Sequence, residues 1–162
     1  MADRTQLQLF IHDCPDDQAP ALFDVLADWG LRVDWDGRLA APGELHIGTP
    51  YTERLAALDA ADELAAELID AAPGVKFTLW TDPAYEWLGT LVRYTPELGR
   101  HDAECDAEGQ GVYFEAQILA ALRTGGPAVG AQAVLALVGV AWTETLRGGT
   151  TERVITYTVT DD

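Results

Sequence analysis

The sequence predicts an α+β fold on an antiparallel sheet: a ferredoxin-like βαββαβ N-terminal unit followed by a hairpin-rich ββαββ half. Three observations carry this. Short runs such as Leu7, Leu9, Ile11 and Phe77, Leu79 alternate with other residues at the period of a half-buried strand. Between them lie segments with helical spacing, ended by Gly30 and by Pro73-Gly74. Beyond Asp82-Pro83 turn residues come closer together, as hairpins require.

In chain order, Leu7, Leu9 and Ile11 alternate with Gln6, Gln8 and Phe10, giving a strand from about Gln6 to His12. Cys14-Pro15-Asp16-Asp17 is turn chemistry, and either aspartate can cap the next helix. Leu22, Val25, Leu26 and Trp29 share one face of that helix, and Gly30 closes it. Leu31, Val33 and Trp35 alternate with Arg32, Asp34 and Asp36 as a second strand, and Asp36-Gly37 is a hairpin-type turn. Ala40-Ala41-Pro42-Gly43 reads as loop and Glu44 to Gly48 as a third strand. The clearest helix spans Thr52 to Asp70, with Thr52 as N-cap. Its buried stripe is Leu55, Leu58, Ala61, Ala65, Leu68 and Ile69. Val75 to Thr81 completes the unit, with Phe77 and Leu79 on one side and Lys76, Thr78 and Trp80 on the other.

In the second half, Trp87 to Tyr94 and Arg100 to Asp106 are strands joined by Thr95-Pro96-Glu97-Leu98-Gly99. Glu115 to Arg123 is a short helix stopped by Thr124-Gly125-Gly126-Pro127. The apolar run Ala131 to Val140 suits helix or strand alike. A last hairpin joins Ala141–Leu146 to Arg153–Thr160 through Arg147-Gly148-Gly149-Thr150-Thr151. Asp82-Pro83 is the best boundary between residues 1–82 and 83–162, as two modules or within one continuous domain.

Charge narrows the function. Acids outnumber bases 27 to 10, for a net charge of −17, so direct binding to nucleic acid or anionic membrane is disfavoured. Hydrophobic residues reach 48%, enough for a core rather than disorder. No apolar run spans a bilayer, Ala131 to Trp142 being too short, and the N-terminus lacks the pattern of a signal peptide, so the expected location is the cytoplasm. Cys14 and Cys105 are too few for a disulfide framework. The acid excess itself reads in two ways. It serves solubility, as a bias that also fits a single lysine, or it engages a basic partner.

The acids fall into rows. On the predicted helix Asp59, Glu63, Glu67 and Asp70 succeed one another about 6 Å apart along the axis. Like charges at this spacing repel, and Arg54 is the only base placed on that helix. In HDAECDAE, Asp102, Glu104 and Asp106 share a strand face at roughly 6.6 Å spacing, opposite His101, Ala103 and Cys105. Phosphates along a DNA strand are spaced similarly, so such rows can imitate a nucleic-acid backbone. Solvated faces are the plainer reading.

Other chemistries find less support. Asp102, Glu104, Asp106 and Glu108 alternate like calcium ligands, but Ala107 and Tyr113 stand where an EF-hand loop needs Gly and Glu. His12/Cys14 and His101/Cys105 are two pairs of zinc-ligand type without the usual knuckle spacing, so no metal is expected. No nucleotide-loop, zincin or nucleophile-elbow motif occurs, and no cofactor is implied. Trp80, Tyr85 and Trp87 crowd one stretch; they either close a core or, exposed beside acids, anchor an interface. The sequence therefore points to a non-enzymatic acidic protein that docks a basic protein surface, with a nucleic-acid mimic of a DNA-handling protein's target as the sharpest form. The contacts are Asp59, Glu63, Glu67, Asp70, Asp102, Glu104, Asp106, Trp80 and Trp87. The alternative is a small-ligand or enzyme site near Trp80 and Trp87.

Overall fold

The alternating residues at the start of the chain form β1 (Arg4–Asp13), and β1 is central to the molecule. The structure, a computed structural model, describes residues 4–33, 38–148 and 150–159. After β1 come α1 (Ala19–Asp28), β2 (Arg32–Val33), β3 (Arg38–Leu39), β4 (Glu44–Ile47), β5 (Pro50–Ala57), α2 (Ala60–Ala71) and β6 (Lys76–Thr81). The remaining elements are β7 (Gly89–Thr95), β8 (Gly99–Cys105), β9 (Gly111–Val112), α3 (Glu115–Leu122), α4 (Pro127–Leu137), α5 (Val140–Arg147) and β10 (Arg153–Thr156).

Among the described residues the main sheet has eight strands in the order β3-β2-β5-β1-β6-β7-β8-β9, each pairing antiparallel. The fold is thus α+β with an antiparallel sheet. β1 lies between β5 and β6, so the crossover through α2 steps over one strand. The sheet continues across Asp82-Pro83, since Leu79 and Trp80 of β6 face Val92 and Leu91 of β7. Trp35 and the Asp36-Gly37 turn lie outside the described residues, but β2 and β3 on either side pair with Arg32 opposite Leu39.

One face of the sheet carries the core. Leu7, Leu9 and Ile11 of β1, Phe77 and Leu79 of β6 and Val92 of β7 are fully buried there. α1 covers them with Leu22 and Leu26, and α2 with Ala61, Leu64, Ala65 and Leu68. Each buried Leu, Ile or Phe contributes about 1.5–3 kcal/mol over its exposed state. β4 and β10 form a separate two-stranded ribbon whose Leu45, Ile47 and Ile155 join the same core. Arg153 ties the ribbon to the β1–α1 turn through Asp13 and Asp16, each at 3.2 Å.

Three expectations are corrected. The helix predicted from Thr52 begins at Ala60, and Thr52 lies in a strand, not at an N-cap. Leu55 and Leu58 have helical spacing with Ala61 and Ala65, yet residues 50–57 pair with both β1 and β2, and two ladders outweigh local periodicity. The predicted third strand, β4, lies outside the main sheet. The last hairpin does not form: Ala141–Leu146 belongs to α5, and β10 pairs with β4 instead. The second half is accordingly less rich in hairpins than predicted and carries three helices among its described residues.

Of those helices α5 packs on the other sheet face, against β7, while α3 packs on α4. α4 and α5 meet at an elbow bent by 52°, and among the described residues no single helix is long and apolar enough to cross a membrane. The elbow is stapled to the sheet by side chains. His101 donates from Nε2 to the Leu137 carbonyl at 2.9 Å, and the Tyr113 hydroxyl donates to the Val138 carbonyl at 3.2 Å. Both carbonyls belong to the end of α4, where intrahelical donors run out. On the far side of the elbow Trp142 donates its indole N–H to the Gly99 carbonyl at 2.9 Å, and its ring lies 5.0 Å from that of His101.

Candidate functional site

The acidic face is assembled from both halves of the chain. Strand register puts Arg100, Asp102 and Glu104 on the same sheet face as Val92 and Tyr94, beside α2. His101 and Cys105 point to the opposite face, as the alternation predicts. Asp59 stands just before α2, and Glu63, Glu67 and Asp70 lie on its exposed surface. Asp102 and Glu104 are also exposed. Arg100 joins the two rows: it pairs with Asp62 of α2 and, at 2.6 Å, with Asp102. Asp62 falls outside the i+4 series and was missed by it; the i+3 step from Asp59 is the signal that could have found it. Glu67 also accepts the Trp29 indole N–H at 2.8 Å. Asp106 differs from the others. It is half-buried and accepts the backbone N–H groups of Glu108 and Gln110, so it shapes a turn beyond the strand row.

The tryptophans separate. Trp87 sits in the β6–β7 turn, 62% exposed, beside Tyr85 at 86%, so these rings do not close a core. Trp80 projects from the opposite sheet face, where Gly109 lies against its indole: a Cβ on Gly109 would stand 2.8 Å from the ring. A cleft of about 230 Å³ opens here, and Trp87 takes no part in it.

Neighbouring strands bring Phe10 and His12 of β1, Thr78 and Trp80 of β6 and Arg93 of β7 to the wall of the cleft, and α5 adds Arg147. At its inner end runs a hydrogen-bond chain. The Thr150 hydroxyl donates to the Leu146 carbonyl at 3.1 Å, so it accepts from His12 Nδ1–H at 2.6 Å. His12 Nε2 then accepts the Thr78 hydroxyl proton at 2.9 Å. Burial holds the imidazole neutral, lowering its pKa to about 4, and this suits a ring that donates once and accepts once. A hydroxyl on a neutral imidazole resembles half of a nucleophile–base pair, but the orienting partner here is a hydroxyl rather than a carboxylate. The sequence marks Trp80 and His12 singly; their convergence with Arg93 and Arg147 depends on strand register and helix docking.

The candidate zinc pairs are occupied elsewhere. Cys14 donates to the Pro15 carbonyl at 3.3 Å and Cys105 contacts the Thr81 carbonyl at 3.6 Å, while His12 is held by two hydroxyls and His101 by a carbonyl. Among the described residues no three His, Cys, Asp or Glu side chains gather as a metal site. Burial pushes both thiols up to about 12, leaving them protonated and unreactive at neutral pH.

A family model described as "Protein of unknown function (DUF3145)" matches residues 8–156. No curated protein and no solved structure matches.

Proposed function

The chain belongs to the DUF3145 family, and for it we propose a non-enzymatic interaction protein whose acidic helical face docks a basic protein surface. The observation that carries this reading is the placement of Asp59, Glu63, Glu67 and Asp70 on the same side of the sheet as Asp102 and Glu104, all exposed or partly so. Long-range attraction from such a face steers a cationic partner and sets its on-rate, while an exposed aromatic such as Trp87 supplies contact area. Asp106 and Trp80 drop out of the contact set, because the first organises a turn and the second faces the other way. The sharper form is a nucleic-acid mimic, in which the partner's basic surface ordinarily holds DNA.

The test compares the full protein with a D59N/E63Q/E67Q/D70N variant as bait in lysate of the native host, over a salt gradient. A basic protein held by the wild type alone and released by salt is the expected result; its displacement by duplex DNA marks the mimic form. Equal retention by both baits overturns the proposal. Relief of like-charge repulsion should also leave the variant as stable as the wild type or more so, by a few tenths of a kcal/mol per pair.

A further inference from the structure

On the sheet face opposite the acids, we propose that the cleft between β1, β6, β7 and α5 binds a small organic monocarboxylate with a flat apolar body. Charge singles out this cleft. Acids outnumber bases 27 to 10 in this chain, and elsewhere Arg100 and Arg153 each hold two carboxylates and Lys76 holds one. Arg93 and Arg147 both line this one cleft, and among the described residues neither has a carboxylate within ion-pair distance. The Nη1 atom of Arg93 is moreover buried without an acceptor. Two guanidinium groups on one cleft, one of them partly buried, call for an anion, and their fork geometry matches a carboxylate.

The remaining lining narrows the class. Glu108 also borders the cleft and His12 is neutral, so the lining carries a net charge near +1, which suits a monoanion better than a dianion. A cleft of about 230 Å³ is small for a ligand site, so the body must be small too. Phe10 and Trp80 give it flat walls, and Gly109 packed on the indole fixes the plane of that ring. Gln110 and Thr143 add polar side chains to the lining. The hydroxyl–imidazole chain is already satisfied internally and makes no competing demand.

The experiment is a titration of the isotope-labelled full protein followed by NMR, with acetate, pyruvate and benzoate as probes and benzamide and inorganic phosphate as controls. Benzoate should give saturable shifts of the Trp80 indole N–H and the Arg93 side-chain resonance, with benzamide and phosphate much weaker. The exposed Arg147 can be changed without disturbing the core, and R147Q should bind benzoate about tenfold less tightly while keeping the wild-type spectrum. The proposal is overturned if none of the three carboxylates shifts these signals. Benzamide matching benzoate would remove the role of charge, phosphate binding more tightly would remove the monocarboxylate class, and unchanged benzoate affinity in both R93Q and R147Q would remove the site.

Discussion

Gly139 shows how much one residue can be asked to do. It sits between α4 and α5 with φ of 68°, and a Cβ there would lie 2.6 Å from the His101 ring. The left-handed conformation alone costs an ordinary residue about 1–2 kcal/mol. Gly99 supplies the comparison, because its φ is 77° but a Cβ would meet nothing within 4 Å. Gly99→Ala should therefore lose only the conformational cost, about 1 kcal/mol, in urea denaturation. Gly139→Ala should lose at least about 1 kcal/mol more, because the elbow must also move off His101. Equal losses would mean that the elbow is not held against the ring. The positive φ after α1 was legible from Gly30 at a helix end, but the role of Gly139 was not: an apolar run ending Val-Gly-Val says nothing about the histidine that packs on it.

Among elements, β4 illustrates a strand finished by a side chain. One edge pairs with β10, and at its middle the Tyr51 hydroxyl accepts the His46 N–H at 2.8 Å and donates to the His46 carbonyl at 3.1 Å. Tyr51 is fully buried in β5, so its phenol stands in for a neighbouring strand. Tyr51→Phe keeps the ring and strips both bonds, leaving a peptide group unpartnered; a loss of about 1–3 kcal/mol is expected from chemical denaturation. A loss within error would show that water replaces the phenol. Elements whose pattern and pairing agree were legible: β1, α1, β6 and the β7–β8 hairpin obey their alternation or helical spacing. The failures share a cause. Leu55 and Leu58 have helical spacing with the residues that follow, but residues 50–57 are held by ladders to distant strands, and Ala141–Leu146, read as one arm of a hairpin, carries Trp142 and Leu146 at i, i+4, facing the sheet as a helical pair. For the same reason the acidic rows could be read locally, while their junction at Arg100 and the cleft across the sheet could not.

At the scale of the molecule, charge is unevenly laid out. Acids cluster on the α2 side, while Arg93 and Arg147, without carboxylate partners among the described residues, share the other face. Surface ion pairs such as Arg153 with Asp13 and Asp16 are worth about 0–1 kcal/mol each, too little to offset a net −17. Self-repulsion among the acids therefore loads the folded state, and screening should relieve it. Raising sodium chloride from low to near-molar concentration should lift the melting temperature by about 2–4 °C for each kcal/mol recovered. A flat or falling melting temperature would show that the acids are spaced widely enough for water to absorb their repulsion.

The ribbon of β4 and β10 has a consequence for how the protein is made. Leu45 and Ile47 are synthesised early, yet the strand that pairs with them carries Ile155, the last buried core residue in chain order among those described. While the chain grows from the ribosome, β4 waits with an open edge, and closing it brings together two distant segments at an entropic cost that local contacts do not share. The final seal on the core is thus set only once translation has passed Thr156, which makes a chain stalled before that point a natural target for chaperones and quality-control proteases.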